Sequence, residues 1–305
     1  MKMTPIRQKQ PSIWMAIAIL QAYTWLFILP KTMKPLWSKI FEGKSSLQCE
    51  LILSTIVPLS LLVYTLCMLP IYYLNIPFFE QYKISDKPWP WQSDNQQVRK
   101  DFWDLSLRSI KLNAFNMLIL IPSLVFIKHL STFGLSSYDV EDWPSHIEIA
   151  RDIIAMTFLH EFSFYSTHRL MHTYPFLYKF HKIHHEYKMN TVLASQHNHP
   201  IDYIISIAGP ALIVGIVCQP HSITLFQFTL YILFANYDDH VGYSFPWSPV
   251  RWIPLANLTE QHEFHHAVNL GCFASKLNIY DKVFHSDNVY LKWSKKRSMT
   301  SVKTE

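Results

Sequence analysis

The chain has 305 residues, 50% of them hydrophobic and only 16% charged, against about 25% charged in soluble globular proteins. That balance excludes a disordered chain, and four scattered cysteines in so long a chain exclude a disulfide scaffold. A net charge of +5, from 27 Lys and Arg against 22 Asp and Glu, leaves no basic footprint for nucleic acid.

The N-terminus carries Lys2, Arg7 and Lys9 before an apolar run over 13–29. The run is too long for a signal-peptide core and no small-x-small cleavage site follows it, so it reads as an uncleaved membrane helix. A second run, 51–74, passes the ~20 residues needed to cross a bilayer. A third, 112–127, contains Asn113, Asn116 and Pro122 and reads as a tilted or broken span. Between these two, Lys87-Pro88-Trp89-Pro90-Trp91 stops helix and predicts an interfacial loop with its tryptophans in the headgroup layer. The spacing from Ile149 to His172 is helical but mixes charge with apolar residues, so this helix must bury a polar stripe.

The last apolar block, 203–237, breaks at Gln219-Pro220-His221-Ser222, which predicts a helical hairpin that enters the membrane and returns to the same face. Lys292, Lys295, Lys296 and Arg297 close the chain with a basic tail typical of a cytosolic membrane surface. Lys31, Lys34, Lys39 and Lys44 follow the first helix as densely as basic residues precede it, so charge does not orient that helix. The expected organisation is an anchor over 1–128, a histidine-rich domain over 129–290 containing the hairpin, and a basic tail over 291–305.

All 16 histidines fall at or after His129. They include His168-x3-His172, His181-x2-His184-His185 and His262-x2-His265-His266, with single histidines at His199 and His240. Spacings of three and four share one helical face, so each HxxHH is expected to aim its rings at one point. Imidazole donors without thiolate nearby favour a transition metal over calcium or magnesium. Eight imidazoles exceed the ligand number of one ion, so two metals are expected, and redox-active iron suits so neutral a ligand set better than a Lewis-acid zinc pair. Glu161, Asp202 and Asp239 lie close enough in sequence to accept the second N–H of a ligand imidazole.

The segments HRLMH (168–172), HKIHHEY (181–187), HNHPID (197–202), DHVGYSFPWS (239–248) and HEFHH (262–266) together resemble the fatty acid hydroxylase and sterol desaturase superfamily over residues 150–287. Within it, the 240–248 segment, Phe273-Ala274-Ser275 and Asp281 look most like the C-4 methylsterol monooxygenases and the related 25-hydroxylases, and His199-Pro200 also resembles the C-5 desaturases. The resemblance implies an all-α, multi-pass endoplasmic reticulum protein with a cytosolic-facing, helical di-iron domain. It implies two Fe ions, a lipid substrate that is a sterol, and electrons from cytochrome b5 and its reductase or directly from another NAD(P)H-dependent reductase. It also adds His199 and His240 to the ligand set. The chain departs from the pattern at Phe164, where methyl oxidases often place a histidine, and after Ile279, where the usual Gly-Thr ending is replaced by Phe284-His285-Ser286. No HPGG haem motif is present, which makes the electron carrier a separate protein.

Two rivals come from other classes. His262-Glu263-x-x-His266 matches the HExxH of a zinc protease but leaves the other motif histidines idle. A metal transporter would place its histidines inside the apolar runs, whereas here they flank them. Sterol side-chain hydroxylation, C-5 desaturation and fatty acid hydroxylation are the nearer alternatives to C-4 oxidation.

Overall fold

A computed structural model describes residues 12–130, 136–253 and 255–301. The basic residues Lys2, Arg7 and Lys9 and the last four positions of the tail lie outside the described residues. The described chain is helical, with only isolated bridges such as Lys83 to Tyr243 and Ala256 to Leu277.

Among the described residues, four helices are long and apolar enough to cross a membrane: α1 (Ile13–Phe41), α2 (Ser46–Leu74), α3 (Gln96–Leu130) and α6 (Pro200–Cys218). Each runs beyond the apolar stretch that signals it, because polar flanks such as Gln96–Lys111 continue the helix past the hydrocarbon. Leu20, Leu62, Leu66, Leu118 and Ile119 stay exposed on the bundle surface, as expected where the surrounding solvent is lipid. The third span is continuous rather than broken.

Three of these helices contain a π-helical stretch: Thr24–Ile28, Asn116–Leu120 and Tyr203–Ala208. Each ends two residues before a proline, Pro30, Pro122 and Pro210 respectively. A helical proline donates no hydrogen bond and crowds the carbonyl four residues earlier, and that carbonyl lies inside the widened turn in all three cases. The prolines are thus absorbed without breaking the spans.

The remaining helices are α4 (His146–Thr173), α5 (Pro175–His181), α7 (Ser222–His240), α8 (Thr259–Val268), α9 (Ile279–Val283) and α10 (Asn288–Ser301). Ser45 and Ser145 each form a capping box that starts α2 and α4. Helices α6 and α7 form a hairpin turned at Gln219, whose φ is 43°. At its tip, Ser222 N donates to Ser137 O at 2.9 Å and Trp37 Nε1 donates to Ser222 Oγ at 3.1 Å. At the opposite end, the Tyr72 hydroxyl donates to Val241 O at 2.9 Å and accepts from Val192 N at 3.2 Å. The hairpin therefore carries His199 and His240 to one end of the bundle and its turn to the other.

The Lys87–Trp91 loop does not lie as expected. Trp89 is fully buried and stacks on Trp91 with ring centroids 5.0 Å apart. Both join Tyr72, Phe79, Tyr243, Phe245 and Trp247 in one aromatic cluster. The tryptophans fix the segment after α7 against α2; burying Trp89 and packing the half-buried Trp91 on protein neighbours outweighs leaving them at an interface. Gly242 is required at this junction. Its φ is +74°, and a Cβ there would sit 2.7 Å from the Trp89 ring and 2.8 Å from Asn190 O.

Candidate metal centre

Nine of the ten histidines singled out by sequence converge in two groups. His168, His172, His181, His185 and His265 form the first, and His184, His240, His262 and His266 the second. Within each group the ligand-capable atoms lie within 4.8 Å of one another, and every ring but His172, which is half-buried, is buried. The groups adjoin: the His185 and His266 ring centroids are 4.7 Å apart.

Neither HxxHH aims all its rings at one point. The i and i+4 rings His181 and His185 serve the first group while His184 turns to the second. In α8, His262 and His266 serve the second group while His265 turns to the first. The i+3 position lies on the opposite flank of the stripe from i+4, so each motif straddles both groups and the pair interlocks them. The first motif is also not one helix: His181 ends α5, and His184–Glu186 is a 3₁₀ turn.

His199 stays outside both groups. Its Nδ1 accepts from Ile201 N at 3.1 Å as the N-cap of α6, and its ring packs on Phe180 with centroids 4.8 Å apart. A residue directly before the Pro200 helix start is held by the cap, which turns the ring away from the cluster.

The outer contacts fix which nitrogen faces inward. His168 Nδ1 donates to Phe273 O (2.8 Å), His265 Nδ1 to Gly271 O (2.6 Å) and His240 Nδ1 to Asn236 O (2.7 Å). Each of these rings keeps its proton on Nδ1 and presents a bare Nε2 lone pair. Yet His168 Nε2 lies 3.1 Å from His265 Nε2, and His240 Nε2 lies 2.9 Å from His262 Nε2 and 3.2 Å from His266 Nε2. With both Nδ1 protons committed outward, His168 and His265 have none to share, and their lone pairs repel unless a cation lies between them. Nitrogens bound at ~2.0–2.1 Å to one transition ion stand about 3 Å apart, the spacing found here. The donor set therefore fits a transition metal in each group.

Protonation points the same way. Burial, and then the facing imidazoles, push His168, His184, His185, His262 and His266 well below the ordinary histidine value. Burial lowers His240 and His265 to about 3. The rings are neutral and ready to ligate at physiological pH.

Of the three carboxylates expected behind the ligands, Asp202 holds one. It accepts from His181 Nδ1 at 3.1 Å and also from Asn198 Nδ2 and Ser206 Oγ, both at 2.9 Å. Glu161 instead accepts from the backbone of Lys276 (2.8 Å) and Leu277 (3.1 Å). Asp239 pairs with the buried Lys276 ammonium at 3.1 Å. Both carboxylates thus anchor the 273–277 loop, whose Phe273 carbonyl in turn orients His168. Backbone carbonyls carry no side-chain signal, so sequence reading missed Phe273, Gly271 and Asn236 as orienting groups, and it did not single out Lys276. In the HExxH, Glu263 belongs to neither group, and His184 and His240 join His262 and His266, unlike a zinc protease.

The sequon Asn257-Leu258-Thr259 is also buried. Asn257 and Thr259 are each 2% exposed, and Asn257 Nδ2 donates to Ala274 O at 2.9 Å. Packing withholds this asparagine from modification once folded, so the lack of a glycan there would not report which side of the membrane the centre faces.

An apolar cavity of about 530 Å³ reaches the centre, lined by Ile56, Val57, Ile121, Leu212, Ile232 and Leu233 among others. A small pocket against His168, His181, His184, His240 and His262 shares Phe164, Ser206, Ile207 and Asn236 with it. These four residues form the throat between lipid space and histidines. At the cavity's other end lies the buried pair Lys128 Nζ to Glu50 Oε1, 2.9 Å.

Fold and site together define a helical membrane protein with two adjoining histidine groups opening on an apolar cavity. Residues 153–286 match the fatty acid hydroxylase family. The chain is 28% identical to the C-4 methylsterol oxidase of Schizosaccharomyces pombe over 75% of its own length and 74% of the relative's. It is 28% identical to methylsterol monooxygenase 1 of Rattus norvegicus, covering 80% of each chain. It is 30% identical to the very-long-chain aldehyde decarbonylase GL1-11 of Oryza sativa over 82% of its length and 91% of the relative's. No solved structure matches. The chain belongs to the fatty acid hydroxylase family and is an oxidoreductase of the oxygenase type.

Proposed function

We propose that the protein oxidises a methyl group at C-4 of a sterol with O₂, using two irons, one in each histidine group. The observation that carries this reading is the convergence of nine imidazoles at the end of an apolar cavity large enough for a rigid lipid. The methylsterol relatives support the choice of substrate. When bound, a pair of irons supplies O₂ activation and the oxidising power for an unactivated C–H bond.

The chain's own residues do the rest. His168, His172, His181, His185 and His265 hold one ion, and His184, His240, His262 and His266 the other. Carbonyls of Phe273, Gly271 and Asn236 and the carboxylate of Asp202 keep the inward nitrogens unprotonated. Phe164 and Ile207 line the throat with apolar surface and keep bulk water from the centre. Residues of α2, α3 and α6 let a lipid approach sideways from the bilayer.

The reading includes residence in the endoplasmic reticulum membrane with the centre on the cytosolic face. Electrons come from cytochrome b5 and its reductase, or another NAD(P)H-dependent reductase. The basic helix α10 supports that arrangement, since Tyr290 and Trp293 pack on Phe264 of α8 with centroids 5.4 and 5.1 Å away. That contact puts Lys292, Lys295 and Lys296 on a helix beside the ligand-bearing one.

Microsomes containing the protein, NADPH and a 4,4-dimethylsterol under ¹⁸O₂ test the proposal. Labelled 4-hydroxymethyl or 4-carboxy sterol is expected. An untouched sterol alongside conversion of a long-chain aldehyde, a fatty acid or another sterol carbon would replace the substrate and leave the oxygenase.

A further inference from the structure

The throat between cavity and centre is narrow in chemistry as well as in space. Of its four residues, Phe164 and Ile207 are apolar, and Ser206 Oγ already donates to Asp202 Oδ1 at 2.9 Å. The fourth, Asn236, is pinned twice. Its backbone carbonyl accepts from His240 Nδ1 at 2.7 Å, and its Nδ2 donates to Ser195 O at 2.9 Å. With Nδ2 committed, the side-chain oxygen Oδ1 is an acceptor with no hydrogen-bond partner among the described residues, on a residue that lines both the apolar cavity and the histidine pocket. It lies one helical turn before a ring of the second histidine group.

Resting on the C-4 oxidation reading, we propose that Asn236 Oδ1 selects substrate by accepting a hydrogen bond from a hydroxyl on the carbon next to the one that bears the oxidised methyl. A sterol carries its 3-hydroxyl on the ring carbon adjoining C-4. Seating that hydroxyl on Asn236 turns the neighbouring methyl toward the histidines one turn further along α7. The rest of the ring system and the side chain then fill the cavity, whose wall is mainly apolar and also carries His160 and Gln196. A free acceptor distinguishes a hydroxyl, which donates, from a ketone, which only accepts. It also disfavours a saturated fatty chain, which has no donor beside the carbon to be attacked. Sites built to satisfy a substrate hydroxyl discriminate strongly against analogues lacking it, because the buried partner is left unpaired.

The test compares 4,4-dimethylsterols bearing a 3-hydroxyl, a 3-ketone or no 3-oxygen, in membranes containing the full chain. The wild-type protein should favour the 3-hydroxysterol over the other two by roughly 10- to 100-fold in kcat/KM. Asn236→Leu, close in size and without the acceptor, should collapse that preference to near unity, chiefly through KM for the 3-hydroxysterol. Its iron content reports whether the centre is intact, and the wild-type comparison stands without any variant. A wild-type protein indifferent to the 3-oxygen, or an iron-loaded Asn236→Leu that keeps the preference, overturns the assignment and leaves C-4 oxidation untouched. Turnover of none of the three sterols removes the sterol reading and this inference together.

Discussion

Asp202→Asn should loosen iron without unfolding the protein. The carboxylate is fully buried and takes hydrogen bonds from three donors: His181 Nδ1, Asn198 Nδ2 and Ser206 Oγ. An asparagine keeps the shape but offers one oxygen and adds an N–H₂, so at least one of those donors faces another donor. A buried group left unpaired costs about 1–3 kcal/mol, and loss of a carboxylate behind a ligand imidazole lowers metal affinity by about 10–100-fold, equivalent to ~1.4–2.8 kcal/mol. The two ranges agree, so the whole effect should appear at the ion nearest His181. Iron per chain, measured by elemental analysis across a chelator series, should fall at a chelator concentration about 10–100-fold lower than for wild type. If each histidine group holds one iron as proposed, half the iron is expected to leave first, since the second group does not depend on Asp202. An Asp202→Asn protein that holds both irons as tightly as wild type would refute this account of how His181 is oriented.

Acidification should dissociate the centre steeply. The buried imidazoles are held below their ordinary value of ~6.5, so below that pH the unfolded chain takes up protons that the folded rings refuse. Stability and iron retention are therefore complete above pH ~6.5 and decline as pH falls below it, with a slope set by several protons. Iron release between pH 7.5 and 5 checks this, and a flat profile over that range counts against it. Gly242→Ala should destabilise the fold by roughly 1–3 kcal/mol from its positive φ alone, with further cost from the contact at Trp89, and should reduce iron because His240 lies two residues away. Thermal unfolding in detergent reads the first effect and elemental analysis the second. Lys128→Met removes one partner of a buried ion pair and leaves Glu50 charged in the cavity wall, a change worth ~3–5 kcal/mol. The double variant Lys128→Met with Glu50→Gln should recover most of that loss in the same melting assay.

The sequence by itself determined the membrane class, the apolar runs behind the four membrane-capable helices and nine histidines that gather, whereas of the two legs expected in the 203–237 hairpin only the first is among those four helices. Apolar length and helical spacing are local properties, and a cluster of HxxHH and HxxxH motifs has few chemical uses. It also exposed the family resemblance, because five motifs in order carry more information than any fold pattern. Tertiary structure alone decided how the rings divide. The swap of His184 and His265 between groups depends on how α5, the 3₁₀ turn and α8 face one another, which spacing within a single motif cannot express. His199 looked equivalent to His240 as a single histidine, but it is held as the N-cap of α6 whereas His240 sits at the buried end of α7. Glu161 and Asp239 were near ligands in sequence and serve the 273–277 loop in space, because contact with Lys276 and its neighbours crosses more than a hundred residues for Glu161. Trp89 and Trp91 went inward for a similar reason: an aromatic pair reads as interfacial until a partner such as Tyr72 or Tyr243 supplies a buried face. The unpaired oxygen of Asn236 was invisible for the same cause, since which amide atom is left over depends on a hydrogen bond to Ser195 from another element.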